Sequence, residues 1–175
     1  SPALSFDKQS MHLSHPHQLH VVDAHGSYVP ATVDQILEAA RWAIEVKTPP
    51  RAPMGLPALA RSYAIARLAG LDHEVFAVFF LDSRCHLIEY REMFRGTLTS
   101  TSVYPREVVK EALRCNAAVL IFAHNHPSGE AEPSNADKAL TQTLKTALAL
   151  VDIRVLDHIV VGGSTCYSFA ENGLC

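Results

Sequence analysis

The stretch AAVLIFAHNHPSGEAEPSNAD, residues 117–137, determines both the fold and the candidate site. It opens with a continuous apolar run, which is typical of a strand buried on both faces. Because side chains alternate along a strand, His124 and His126 point to one face and Asn125 points to the other. Pro127 lacks an N–H group and ends the strand directly after them. The sequence therefore predicts two neighbouring imidazoles at the C-terminal mouth of a buried strand.

A third metal ligand and a helix cap are both expected in the segment that follows. Catalytic zinc takes three protein ligands and leaves one position for water. Asp137, in the first turn of the next helix, is placed to supply the third ligand. Ser134 and Asp137 also form S-x-x-D, which is close to a capping box and accounts for both residues without a metal. Two histidines at a strand end facing a crevice, with an acid one loop later, favour a metal site. A capped helix can present its first turn to a metal, so the two interpretations are compatible.

The spacing H-x-H-P, six residues, S-x-x-D resembles the JAMM metalloprotease motif of the JAB/MPN superfamily. The segment PREVVKEALRCNAAVLIFAHNHPSGEAEPSNADK (105–138) and the later VLDHIVVGG resemble bacterial RadC proteins in particular. This resemblance extends from about residue 70 to the end of the sequence. It implies an α/β fold of the JAB/MPN type (cytidine-deaminase-like), with a mixed sheet flanked by helices.

The resemblance also implies a set of functional residues. One zinc ion per chain is expected, with His124, His126 and Asp137 as its ligands and a water in the fourth position. The serine of the motif, Ser134, would help to stabilise the oxyanion. Such a site hydrolyses an amide bond without a covalent intermediate, because zinc lowers the pKa of its bound water to about 7.

A glutamate at the start of the first core strand serves as general base in this family. Glu74, the second residue of HEVFAVFFLD, fits that position. Glu89, Glu92 and Glu107 fit less well, since the first two lie in the next predicted strand and the third in a helix. The glycines that follow the base in many JAMM enzymes are not found after Glu74. An exposed acid at a strand start is the alternative interpretation of this residue.

The remaining patterns predict strands grouped together with helices inserted between them, which indicates a mixed sheet covered by helices. Strands are predicted over HEVFAVFFLD, CHLIEYREMF, RGTLTSTSV, IRVLDHIVVGG and TCYSFAENG. PREVVKEALRC is predicted as a helix beginning at a proline. A second helix, SNADKALTQTLKTALALV, is expected to place one stripe on the sheet: Leu140, Thr143, Leu144, Ala147 and Leu148.

Two units are predicted: an N-terminal extension, residues 1–69, and a RadC-like domain, residues 70–175. The extension contains a hairpin turning at Gly26, a helix capped by Thr32 and Gln35, and a second helix ending at Gly70. The four prolines of TPPRAPMGLP between the two helices predict a linker. The extension is thus small and mainly helical.

Other histidines are weaker candidates. Asp157 and His158 are adjacent on a strand and point to opposite faces, so they do not form a dyad; a structural role is favoured, and support of a metal ligand by one of them stays open. The first 18 residues are interpreted as a loosely attached end. Four N-terminal histidines are assigned to a solvated tail: His12, His15, His17 and His20.

Composition limits the function classes. The formal net charge is −3 and no basic run is present, which weakens a nucleic-acid-binding interpretation without excluding a local patch. Four scattered cysteines without a C-x-x-C pair indicate reduced thiols and a cytoplasmic setting. The longest apolar runs are too short to span a bilayer. A soluble, intracellular protein is therefore expected.

The leading functional hypothesis is a zinc metallohydrolase that cuts a peptide or isopeptide bond. RadC proteins also carry an association with DNA repair and mobile elements. A metal-dependent nuclease is an alternative, although phosphodiester cleavage more often uses several carboxylates and two metals. A non-catalytic scaffold is a third hypothesis, but the complete ligand set argues against it. A zinc deaminase is excluded, because its H-x-E and P-C-x-x-C segments are missing. Dimerisation is left open.

Overall fold

The structure, a computed structural model, describes residues 19–47, 51–96 and 103–175. The prediction of a loosely attached end over residues 1–18 lies outside these ranges, as does most of the strand predicted over RGTLTSTSV. Within the described ranges, eleven elements follow one another along the chain: β1 (His20–Val22), β2 (Tyr28–Pro30), α1 (Val33–Lys47), α2 (Pro57–Leu68), β3 (Val75–Leu81), β4 (Leu87–Arg95), α3 (Pro105–Arg114), β5 (Val119–His126), α4 (Asn135–Ala149), β6 (Arg154–Gly162) and β7 (Thr165–Ser168).

The centre of the molecule is a five-stranded sheet in the order β4-β3-β5-β6-β7. β5 and β6 are parallel, and the other neighbours are antiparallel. A parallel pair needs a crossover connection, and α4 provides it between β5 and β6. This crossover brings the start of α4 back to the C-terminal end of β5, where the two histidines lie. The mixed sheet with helices on it confirms the predicted fold class.

Both faces of the sheet are covered, which explains why β3 and β5 read as continuous apolar runs. Every residue of β3 is buried, and so are the first seven of the eight residues of β5. One face packs with α2 and includes Phe79 and Ile121; the other packs with α3 and α4 and includes Phe76 and Phe122. Removal of this apolar surface from water is the main stabilising contribution to the sheet.

The N-terminal elements agree with the sequence patterns except at His20, which is predicted to belong to the tail but lies half-buried in β1. β1 and β2 pair as an antiparallel hairpin with Gly26 at a φ of 80° in its turn. The capping box of α1 is present, because Gln35 N–H donates to Thr32 Oγ1 and Thr32 N–H donates to Gln35 Oε1. Four side chains of α2 are buried: Ala60, Tyr63, Ala64 and Leu68. They belong to the same cluster as the α2-facing side of the sheet.

The proline-rich segment differs from the free linker expected of it. Ala52 and Met54 are buried in the sheet's core cluster. Pro53 forms an isolated β-bridge with His86, between β3 and β4. The described part of this segment therefore packs on the sheet. The division of the chain between residues 69 and 70 stays a prediction.

The buried stripe of α4 is shifted from the predicted one. Thr143 is exposed, whereas Thr141 is buried together with Asp137, Leu144 and Leu148. The polar members of this stripe turn towards the end of β5 instead of towards solvent. Within the part of the chain that the structure describes, no helix is long and apolar enough to cross a bilayer.

Candidate metal centre and cleft

Three side chains predicted as metal ligands meet at the C-terminal end of β5. His124 Nε2 lies 3.0 Å from His126 Nε2 and 3.3 Å from Asp137 Oδ1. His126 Nε2 lies 3.4 Å from Asp137 Oδ2. His124 and Asp137 are buried, and His126 is partly exposed. These are the only described His, Cys, Asp or Glu side chains that come together in a group of at least three able to hold a metal.

The spacing of these donor atoms fits zinc. Tetrahedral zinc with ligands at about 2.0–2.1 Å separates neighbouring ligand atoms by roughly 3.3 Å. The two imidazole nitrogens are 3.0 Å apart, and the nearest carboxylate oxygen is 3.3 Å (Oδ1) from His124 and 3.4 Å (Oδ2) from His126. Two imidazoles and one carboxylate are also a donor set typical of catalytic zinc, which leaves a fourth position open. The residues present therefore fit this metal.

The hydrogen bond made by His126 Nδ1 determines the protonation of Nε2, the ring nitrogen that faces His124 and Asp137. His126 Nδ1 lies 2.8 Å from the carbonyl oxygen of Glu130. A carbonyl only accepts, so Nδ1 carries the proton and donates it. In the neutral imidazole, Nε2 then presents a lone pair towards His124 and Asp137. This is the tautomer that a metal requires.

The candidate metal ligand Asp137 is also a member of the helix capping box, whose N-cap residue is Ser134. Ser134 Oγ accepts from the N–H of Asp137 at 3.1 Å, and Asp137 Oδ2 accepts from the N–H and the hydroxyl of Ser134, each at 2.7 Å. The predicted capping box is thus confirmed. It fixes the carboxylate so that Oδ1 faces His124.

The electrostatics of Asp137 favour its charged form. Burial alone raises the pKa of this carboxyl, but His124, when it is protonated on Nε2 at 3.3 Å, and the hydrogen bonds from Ser134 together outweigh burial and hold the pKa well below its usual range. A carboxylate that stays ionised is the form that binds a cation. The helix N-terminus adds a favourable positive potential at this position.

A second layer of contacts lies behind His124. His124 Nδ1 is 2.8 Å from His158 Nε2, and His158 Nδ1 is 2.6 Å from Thr141 Oγ1. Burial and the neighbouring His124 hold the pKa of His158 well below its ordinary value, so the ring is neutral. Asp157 points to the other face, as predicted, and accepts from Ser168 Oγ at 2.6 Å.

Asn125 ties the candidate base to the candidate ligands. Its side chain points away from the two histidines, as predicted, and is buried. Asn125 Oδ1 accepts from Val75 N–H at 2.8 Å, and Nδ2 donates to the carbonyl of His73 at 2.9 Å. The carbonyl of Glu74 accepts from Gly96 N–H at 2.9 Å. The backbone on both sides of Glu74 is therefore held against β5.

An open cleft of about 570 Å³ lies beside the candidate ligands and the candidate base. Glu74 and Ser134 line it, together with His126 and Asp137. The catalytic roles of Glu74 and Ser134 stay predictions, and their place in one cleft with two of the candidate ligands supports them. The cleft is also lined by Asp72, His73, Gly96, Pro127, Ser128 and Ala136.

Two contributors to the site were missed from the sequence. Thr141 is one helical turn after Asp137, so an i, i+4 search from the acid identifies it. His73 lines the cleft beside Glu74, and its Nδ1 is 2.6 Å from Asp72 Oδ1. That hydrogen bond, followed by the charge of His73, lowers the pKa of the exposed Asp72 carboxyl.

The comparison with known proteins shows the family. A family model described as a RadC-like JAB domain matches residues 55–174, and the chain belongs to this family. A UPF0758 protein of Leptothrix cholodnii is 56% identical over 159 residues, which are 91% of this chain and 72% of that protein. One of Nitrosomonas eutropha is 56% identical over 144 residues, 82% of this chain and 64% of that protein. One of Vibrio cholerae is 65% identical over 111 residues, 63% of this chain and 70% of that protein.

The chain thus spans between 64% and 72% of the length of these three relatives. The name UPF0758 protein states neither an activity nor a substrate. What the whole protein acts on, and with which partners, is therefore taken up as a proposal.

Proposed function

We propose that this chain is a zinc-dependent hydrolase of the JAMM type that cuts a peptide or isopeptide bond. The observation that carries the proposal is the cluster of His124, His126 and Asp137, whose donor atoms stand 3.0 to 3.4 Å apart at the end of a buried strand. JAB domains are often hydrolytic. The cleft beside the cluster has room for a substrate chain.

The proposed chemistry divides between the metal and the protein. Zinc, when bound, lowers the pKa of a coordinated water to about 7 and polarises a carbonyl group. The Glu74 carboxylate accepts the proton of the attacking water and hands it to the leaving amine; such acid–base catalysis contributes about 10²–10⁴ in rate. The contacts of Asn125 hold the backbone around Glu74 against the strand that carries the histidines.

Ser134 donates a hydrogen bond to the developing oxyanion in this proposal. Its hydroxyl now donates to Asp137 Oδ2 at 2.7 Å, and the backbone N–H of Ser134 donates to the same oxygen. The hydroxyl can therefore turn to the substrate while Asp137 keeps the backbone bond. Loss of one oxyanion donor costs about 10²–10³ in rate.

We propose the cytoplasm as the setting, because all four cysteines are free thiols and a reducing compartment keeps them so. The proposed partner is a protein or peptide substrate. We also propose DNA repair or mobile elements as the biological setting of the reaction. The protein's formal net charge of −3 disfavours nucleic-acid binding, so the proposed function does not include nucleic-acid cleavage.

The test uses Glu74→Gln with Glu89→Gln as the matched control. Both chains are loaded with zinc, their zinc content is measured, and hydrolysis of a panel of fluorogenic peptide and lysine-isopeptide substrates is followed. We expect zinc in both chains, turnover by the control and a loss of about 10²–10⁴ in turnover by Glu74→Gln. Full activity of Glu74→Gln would show that the base is another residue. Cleavage of DNA with no cleavage of the panel by the unsubstituted chain would contradict the proposed reaction.

A further inference from the structure

His158 is a buried imidazole with both ring nitrogens engaged. It is fully buried, and it contacts His124 through Nε2 and Thr141 through Nδ1, at 2.8 and 2.6 Å. Three aromatic rings surround it: Phe76, Phe122 and Phe169. A buried polar ring in apolar surroundings is stable only when its hydrogen bonds are satisfied. Its proton arrangement is therefore fixed by its two neighbours.

Thr141 sets the direction of these hydrogen bonds. Thr141 Oγ1 lies 2.6 Å from the carbonyl oxygen of Asp137, one turn earlier in α4. Two oxygens at this distance repel each other unless a proton lies between them, and a carbonyl has none to give. The hydroxyl proton of Thr141 is thus directed to Asp137. Thr141 Oγ1 must then accept the proton carried on His158 Nδ1.

The direction of the hydrogen bond between Thr141 and His158 determines which nitrogen of His158 is protonated, and through it which nitrogen of the candidate ligand His124 is protonated. A neutral imidazole protonated on Nδ1 has its lone pair on Nε2, so His158 Nε2 accepts from His124 Nδ1. His124 then presents a lone pair on Nε2, the atom that faces His126 and Asp137. The reverse arrangement places a proton on His124 Nε2, where it blocks a metal.

We infer that Thr141 and His158 are positioning residues, which hold His124 in the tautomer and ring orientation that bind the metal. This inference rests on the proposed function, since it concerns the same zinc site. It extends that proposal to two residues beyond the motif, neither of which lines the cleft itself. Removing an outer partner of a ligating histidine typically weakens metal binding by about 10–100-fold.

The first test measures zinc affinity by competition with a chromogenic chelator. His158→Phe keeps an aromatic ring among its aromatic neighbours, and Thr141→Val keeps the shape of threonine; we expect each to weaken zinc binding by about 10–100-fold. Thr141→Ser restores the hydroxyl and is expected to bind nearly as tightly as the unsubstituted chain. Asp157→Asn is the control on the same strand, with its side chain on the other face.

The outcomes separate the inference from the proposed function. If the unsubstituted chain binds no zinc, the proposed function fails and this inference with it. If the unsubstituted chain binds zinc and both His158→Phe and Thr141→Val bind it equally well, the inference alone is overturned. Thermal unfolding of the metal-free variants is measured in parallel, because a purely structural role lowers their stability and leaves the zinc affinity unchanged.

A second test needs no substitution. In a long-range ¹H–¹⁵N spectrum of the zinc-loaded chain, the ring nitrogens show which of them carries the proton. We expect the proton of His158 on Nδ1 and the proton of His124 on Nδ1. A proton on Nε2 of His158 would overturn the inference even if the variants fail to fold.

Discussion

Ser134 and Asp137 exchange three hydrogen bonds at the start of α4, while Asp137 Oδ1 faces His124. The cap and the candidate ligand are thus coupled through one carboxylate. We expect that capping of α4 by the Ser134 hydroxyl can be removed without disturbing the Asp137 carboxylate, because the backbone N–H of Ser134 still donates to Oδ2 when the hydroxyl is removed.

Ser134→Ala tests this separation. Loss of an N-cap side chain costs about 1 kcal/mol in the free energy of unfolding, and we expect denaturant unfolding to show that loss while zinc stays bound. Thr32→Ala, at the cap of α1, is the matched control for a cap remote from the site. Loss of zinc from Ser134→Ala would mean that the hydroxyl itself is needed to hold the carboxylate in place.

Asn125→Leu tests the contact between the candidate base and β5. The substitution leaves the N–H of Val75 buried without its acceptor, which costs about 1–3 kcal/mol. We expect a lower free energy of unfolding in denaturant and faster hydrogen exchange at Val75. Zinc should remain bound, because the side chain points away from the histidines.

Asn172→Leu is the control for this substitution, since Asn172 is exposed and its Nδ2 donates to one backbone carbonyl, that of Ser168, at 2.8 Å. The control should lose less stability. An unchanged free energy of unfolding and unchanged exchange at Val75 in Asn125→Leu would argue that the carboxamide does not hold the segment around Glu74.

At the scale of elements, the end of β6 sets the position of the loop after β5. A Cβ on Gly162 would lie 2.4 Å from Ala131 N and 2.5 Å from the carbonyl carbon of Glu130. These are backbone atoms, so the loop must move if a side chain is added. The same loop presents the Glu130 carbonyl to His126. The glycine is therefore required for the geometry of the site.

Gly162→Ala is predicted to lower both the thermal stability and the zinc affinity. Gly163→Ala is the matched control: its Cβ would meet only Gly129 O, at 3.8 Å, but its φ of 57° costs an alanine about 1–2 kcal/mol. We expect the control to lose stability and keep its zinc affinity. Equal zinc affinities in the two variants would contradict a positioning role for the loop.

The elements that the sequence predicted well are those with strong local patterns. β3 and β5 are apolar runs buried on both faces, and α3 begins at a proline in the first helical turn. The meeting of the three candidate ligands was expected from the alternation of His124 and His126 and from the spacing to Asp137. Each of these depends on neighbours close in the chain.

The features that the sequence did not predict depend on contacts between distant segments. His158 meets His124 only because β6 lies parallel to β5 in a register that pairs Phe122 with His158. The buried stripe of α4 contains Thr141 and not Thr143, because the helix turns Asp137 and Thr141 towards His124 and His158. The burial of Ala52 and Met54 likewise depends on a tertiary contact that composition does not reveal.

At the scale of the whole molecule, a bound metal should stabilise the fold. A ligand at about 100 times its Kd raises the free energy of unfolding by about 2.7 kcal/mol. For a domain of this size, this corresponds to a rise in Tm of about 5–10 °C. The site joins β5, α4 and, through His158, β6, so the gain should appear in the unfolding of the entire sheet.

Thermal unfolding with zinc and with a chelator measures this effect. Magnesium is the control metal, because it prefers oxygen ligands and octahedral geometry, and it should leave the Tm unchanged. A Tm that does not respond to zinc would contradict the coupling between the site and the fold.

The most direct test of the central claim is the zinc content of the purified chain, measured by elemental analysis beside Asp137→Ala after both are exposed to zinc. We expect about one zinc per chain in the unsubstituted protein and a strong loss in the variant. No zinc in either protein would mean that the site is two strand-end histidines beside an ordinary helix cap. Equal zinc in both proteins would mean that the metal binds without Asp137, and either result would contradict the proposed zinc site.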